Sequence, residues 1–121
     1  MTTRVLIVDD VVNVRCDLRT ALTLSDELEI IGEAANGLEA VELTESLKPD
    51  VVLMDLEMPV LDGYEATRQI KTRFPSCRVI ALTVHDYESA RAEAQLSGVD
   101  AFLVKGVSVE SIVQSISKQK E

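Results

Sequence analysis

Four stretches of the chain are apolar at nearly every position: Val5 to Val8, Val51 to Met54, Val79 to Leu82 and Ala101 to Val104. Strands of this kind need cover on both faces, as in a parallel sheet held between helix layers. They read as buried strands. A weaker fifth run, Glu29 to Ala34 with Ile30 and Ile31 inside it, predicts a strand near an edge.

Between these runs the spacing turns helical. Val11, Val14, Leu18, Ala21 and Leu22 mark one face of a first helix, with Asp10 placed to cap its amino end. Asn36 with Glu39 makes a capping-box pattern that opens a second helix, which stops before Pro49 and carries Ala40, Leu43 and Leu47 on its apolar face. Ala66, Ile70 and Phe74 define a third helix ending near Pro75. Val109, Ile112, Val113 and Ile116 give the clearest stripe, in a final helix capped by Ser108. The segment Tyr87 to Ser97 is helical by composition, with an apolar side of little more than Ala90 and Ala94. It would bury little area, which makes it the candidate mobile helix, and Gly98 is placed to end it in a left-handed turn.

This alternation predicts an α/β fold of five parallel strands, right-handed crossovers and helices on both faces, as one domain over residues 1–121. Ligands of open α/β sheets bind outside the carboxyl ends of the strands, where the strand order reverses. Here the first strand ends in Asp9 and Asp10, the third in Asp55, the fourth in Thr83 and the fifth in Lys105. If the first and third strands are neighbours, three carboxylates converge, and their repulsion raises a pKa or demands a cation. An all-oxygen donor set with no His or Cys cluster favours Mg²⁺, or Mn²⁺, over zinc. Such an ion would orient a phosphate and leave one carboxylate free as a nucleophile. Lys105 adds a flexible ammonium able to meet a phosphoryl oxygen, and Thr83 adds a hydroxyl. Taken singly, each residue has a plainer reading: Asp10 as a helix cap, Asp55 as an exposed turn acid, Lys105 as a solvated lysine, Thr83 as a locally bonded strand residue, His85 as a loop histidine. Only their joint placement at strand ends points to chemistry.

Composition narrows the partners. With 121 residues, 46% hydrophobic and 27% charged, the chain is an ordinary globular domain, and its net charge of -9 argues against direct nucleic acid binding. No apolar run approaches the ~20 residues that cross a bilayer, so no membrane association and a cytoplasmic location are expected. Cys16 and Cys77 lack metal-site spacing and are expected as buried, reduced thiols.

Four segments, VLIVDD at Val5 to Asp10, DLEMPVLDG at Asp55 to Gly63, ALT at Ala81 to Thr83 and FLVK at Phe102 to Lys105, resemble in order and spacing the receiver domain of two-component response regulators, over essentially the whole chain. The resemblance implies a flavodoxin-like, doubly wound sheet of order 2-1-3-4-5. It implies that Asp55 is phosphorylated by a histidine kinase or phosphotransfer protein, and that the domain is a regulatory phosphoacceptor rather than an enzyme acting on other substrates. Mg²⁺ would be held by Asp10 directly, by Asp9 through water, by Asp55 and by the backbone carbonyl of Glu57. Thr83 and Lys105 would meet the phosphoryl group, and Phe102 would be the aromatic ring that reorients as Thr83 moves. The consequence would be altered binding to an output domain or a homodimer partner, and the pattern around Lys105-Gly106 is similar to receivers joined to helix-turn-helix DNA-binding domains that regulate transcription. Three features vary against the family: Gly106 stands where many relatives carry a cis proline, which would leave Lys105 less rigidly held, Val84 replaces a smaller residue, and Glu57 and His85 lie near the expected mouth. Glu57, Val84 and His85 are thus the candidate residues for tuning phosphoryl lifetime. Competing readings are a phosphatase of the haloacid dehalogenase type, which needs a second aspartate where Glu57 stands, a flavodoxin-like FMN module, whose phosphate Asp9 and Asp10 would repel, and a receiver-like module that no longer accepts phosphate.

Overall fold

The computed structural model describes residues 2–84 and 86–117. Five strands and five helices alternate along the chain: β1 (Thr3–Val8), α1 (Val12–Thr23), β2 (Leu28–Ala34), α2 (Gly37–Leu47), β3 (Val51–Met54), α3 (Gly63–Arg73), β4 (Arg78–Thr83), α4 (Glu88–Ser97), β5 (Ala101–Val104) and α5 (Val109–Ser117). All strand pairs are parallel and the sheet order is β2-β1-β3-β4-β5. The chain reverses its direction of travel across the sheet between β1 and β3, the crevice where carboxyl-end ligands collect.

Side chains alternate between the two faces of each strand, and so divide the core in two. Leu6, Val8, Val52, Met54, Val79 and Ala81 pack with Ala40 and Val41 of α2, Ala66 and Ile70 of α3 and Ala94 of α4. On the opposite face Val5, Ile7, Val51, Leu53, Ile80 and Leu82 pack with Leu22 of α1 and with Ile112 and Ile116 of α5. The two central strands β1 and β3 explain the unbroken apolar runs, because every residue of β3 and the last four of β1 are buried. The sequence pattern overstates the burial of β5, whose four residues are only partly covered. As an edge strand it has a sheet neighbour on one side only.

Local chemistry explains the helix ends. Asn36 Oδ1 accepts from Glu39 N at 2.9 Å, and Glu39 Oε1 in return accepts from Ala35 N at 2.7 Å, close to the expected capping box. Asp62 Oδ1 caps α3 by accepting from Glu65 N at 2.9 Å, and Ser108 Oγ caps α5 by accepting from Ser111 N at 3.1 Å. Gly98 ends α4 at φ 102°, as expected of a left-handed terminus. Two expectations fail. Asp10 does not cap α1; Val11 occupies that position without a side-chain bond, and the nearby Asp9 Oδ1 takes the Val11 N–H at 2.9 Å instead. Cys16 is exposed, because it lies off the inward line of Val14, Leu18 and Leu22, whereas Cys77 is buried; both thiols are free.

Candidate functional site

Asp9, Asp10 and Asp55 come together at the carboxyl edge, with one carboxylate oxygen from each lying within 4.8 Å of the others. The pairing of β1 with β3 brings them there: Val8 lies opposite Met54, and the Asp55 N–H continues the ladder by donating to Val8 O at 3.0 Å. Asp9 and Asp55 are buried and Asp10 is exposed.

Lys105 reaches into this cluster from the far end of β5. Its Nζ donates to Asp9 Oδ2 at 2.7 Å and lies 3.8 Å from Asp55 Oδ2. Its backbone N–H donates to Thr83 O at 2.7 Å, which ties the fourth and fifth strand ends together. The next residue, Gly106, has φ 108°, a value closed to proline with its φ near -65°, so the turn after Lys105 follows a path that a proline here would forbid. With the ammonium fixed on Asp9, the glycine does not detach Lys105 from the site.

The loop after β3 is held against the two helices beside it by backbone packing. A Cβ on Gly63 would lie 2.2 Å from Asp55 O and 2.6 Å from Leu56 Cα, so only hydrogen fits. Gly63 N–H donates to Leu56 O at 2.9 Å, and Gly37 at the start of α2 donates to Leu61 O at 2.9 Å. A Cβ on Gly37 would lie 2.2 Å from that same Leu61 oxygen. Between these anchors Leu61 N–H donates to Pro59 O at 2.8 Å across Val60, whose φ is 70°, a γ-turn centred on a β-branched residue.

Electrostatics follow from burial. The Asp55 carboxyl is pushed up from 3.8 to about 6, first by loss of water and then by Asp9 and Asp10, against the opposing pull of Lys105 and of the Glu57 N–H. That N–H lies 3.3 Å from Asp55 Oδ1, which places the backbone of Glu57 at the site while its side chain is exposed. Thr83 is buried at the end of β4 and Val84 is 63% exposed. His85 lies outside the described residues. Phe102 is partly buried, pairs with Ala81 across the sheet, and sits under the guanidinium of Arg91, 4.6 Å from the ring centre. Arg91 also bonds Asp86 in the loop before α4.

Sequence reasoning therefore found the residues that meet at the cluster and missed those that hold it. Asp62 and Gly63 fall inside the DLEMPVLDG segment without a supporting role being legible for either, and Arg15, whose Nη1 donates to Asp9 O at 2.6 Å, belongs to no motif. An arginine between Val14 and Leu18 on the inward side of α1 was the available sign for Arg15.

A five-stranded parallel sheet of this order with an acidic carboxyl-edge cluster and a lysine is the architecture of a CheY-like receiver. The chain belongs to the response regulator receiver domain family, whose model matches residues 5–117. It is 41% identical over 120 residues to the response regulator protein VraR of Staphylococcus aureus and 37% identical over 118 residues to VraR of Staphylococcus saprophyticus. These matches take in 98% of this chain and 56% of each relative, so the chain spans about half the length of those relatives. Among solved structures it is similar to a DNA-binding response regulator of the LuxR family from Staphylococcus aureus, with TM-score 0.90 and 31% identity over 96% of this chain and 97% of that one. It is also similar to a chain in the CheX-CheY-BeF3-Mg complex of Borrelia burgdorferi, with TM-score 0.84 and 31% identity over 93% of this chain and 84% of that one. The protein is thus a receiver domain of two-component signalling, a regulatory domain. Among the described residues no helix is long and apolar enough to cross a membrane.

Proposed function

We propose that Asp55 is the phosphoacceptor of this receiver and that Asp9, Asp10 and Asp55, with the backbone carbonyl of Glu57, hold Mg²⁺. The observation that carries the reading is the convergence of three carboxylates within 4.8 Å beside the Lys105 ammonium. The donors are hard oxygens with a net negative charge, which fits Mg²⁺ or Mn²⁺ rather than a thiolate-seeking ion. When bound, the ion neutralises charge that would otherwise repel an incoming phosphoryl group.

In the transfer, an Asp55 carboxylate oxygen forms a bond to phosphorus as the donor's N–P bond breaks, and the leaving imidazole keeps the bonding electron pair and takes up a proton. The donor is a phosphohistidine on a histidine kinase or phosphotransfer protein. Lys105, already 3.8 Å from Asp55 Oδ2, meets the added phosphoryl charge. The Thr83 hydroxyl is drawn toward the same oxygens, and Phe102 turns with it, which requires the ring to leave its place under Arg91. Exposed valines at positions 11, 60, 84 and 107 follow or lie between the site's strand ends and give the donor an apolar landing rim. Glu57, Val84 and His85 then set how readily water reaches the acyl phosphate. The switch controls an attached DNA-binding output domain or a homodimer contact, in the cytoplasm.

Incubation with acetyl phosphate and Mg²⁺ followed by intact-mass measurement tests the assignment. One phosphate adduct is expected, absent in Asp55→Asn and in EDTA. An adduct that persists in Asp55→Asn would move the phosphoacceptor elsewhere.

A further inference from the structure

Asp9 has every polar group engaged. Its N–H donates to Ala34 O at 3.1 Å, Oδ1 accepts from Val11 N at 2.9 Å, Oδ2 accepts from Lys105 Nζ at 2.7 Å, and its carbonyl accepts from Arg15 Nη1 at 2.6 Å. Asp10 differs: its side chain is exposed, so the constraint on where its carboxylate can reach is the Cα–Cβ direction that its backbone sets. That backbone is the Asp9–Asp10 peptide, whose oxygen Arg15 holds.

Arg15 is itself fixed. Its side chain is only 14% exposed, and its Nε donates to Glu33 Oε1 at 3.0 Å, while the other Glu33 oxygen accepts from Arg19. Glu33 is kept charged by these partners, Arg19 foremost, which hold its carboxyl below the usual range. The planar fork of arginine spans the Glu33 carboxylate and the Asp9 carbonyl together, a geometry that a lysine ammonium does not reproduce.

We infer that Arg15, braced by Glu33 at the end of β2, is a positioning residue for cation binding: it fixes the Asp9–Asp10 peptide so that the exposed Asp10 carboxylate stays in the cluster. The inference rests on the Mg²⁺ reading above and adds to it a partner reaching from α1 to β2. Its sign is diagnostic. Arg15 carries positive charge close to a cation site, so an effect through charge alone predicts that its removal tightens Mg²⁺ binding. Positioning predicts the reverse, and loss of a partner that orients a metal ligand typically weakens affinity about 10–100-fold.

The test is calorimetric titration of the metal-free, unphosphorylated protein with Mg²⁺, in wild type, Arg15→Ala and Arg15→Lys, with urea midpoints recorded for each. Both variants are expected to bind Mg²⁺ roughly tenfold or more weakly. Because Arg15→Lys retains the charge, its loss isolates the fork geometry, and it carries the test if Arg15→Ala does not fold. In acetyl phosphate labelling, the Mg²⁺ concentration for half-maximal rate should rise while the rate at saturating Mg²⁺ stays within about twofold, a split that general destabilisation does not produce. Mg²⁺ affinity equal to or tighter than wild type in a folded Arg15→Lys would overturn the inference. Failure of the wild type itself to bind Mg²⁺ or to form the adduct would instead overturn the phosphoacceptor reading.

Discussion

Replacing Asp55 by asparagine should make the metal-free protein more stable, by an amount that depends on pH. The Asp55 side chain is only 9% exposed beside two further acids, and its pKa rises from 3.8 to about 6 on folding. A rise of that size corresponds to about 3 kcal/mol against the charged form in the folded state. The sign follows from proton binding. Below the unfolded value near 3.8 the group is neutral in both states and costs nothing, through the window up to about 6 the native state must give up a tightly held proton, and above it the full penalty stands. Asp55→Asn removes the titrating group but keeps its shape, so the difference between variant and wild type isolates this one carboxyl. Urea unfolding in EDTA, from about pH 3.5 to pH 7.5, should show a gap near zero at the acid end that widens to about 3 kcal/mol in favour of the asparagine. Saturating Mg²⁺ should narrow it, since an ion held by the three carboxylates would bind the native wild type more tightly. A gap that does not change with pH, or a less stable asparagine variant at pH 7.5, would refute the account of a repulsive, water-poor cluster.

Val60→Gly should raise stability by about 1 kcal/mol in urea unfolding, because glycine accepts φ 70° without the strain that a β-branched residue carries there, less the entropy that glycine adds to the unfolded chain. An unchanged or lowered midpoint would show that the γ-turn is not strained. A disulfide-exchange thiol reagent should label one cysteine in the native protein and both in denaturant: Cys16 is exposed, whereas burial places the Cys77 thiol at about 11. Peptide mapping that finds Cys77 modified under native conditions would contradict that assignment.

The strand pattern was legible because β1 and β3 are covered on both faces and have no room for polar side chains. The same logic misjudged β5, since an edge strand can be as apolar as a central one while remaining half uncovered. The acid cluster was legible as a set of strand ends, and only the adjacency of β1 and β3, which no residue pattern states by itself, turned that set into a site. Asp10 is not the cap that its position suggests, for a related reason. Two adjacent acids before a helix look equivalent in sequence, yet the fold gives the Val11 N–H to Asp9 and leaves Asp10 exposed. The supports were hardest to read. Arg15 acts through a backbone carbonyl, and Gly63 acts by lacking a side chain.

The two glycines that abut the loop after β3 divide the molecule's freedom to diverge. Each meets a main-chain oxygen at a distance where any larger residue collides, so the track that follows Asp55 keeps its path only while both positions stay glycine. Val11, Val84 and Val107 are exposed side chains free of the positive φ that constrains Val60. Substitutions at those three positions would therefore change the exposed edge one residue at a time while Asp9 and Asp55 stay buried beneath it.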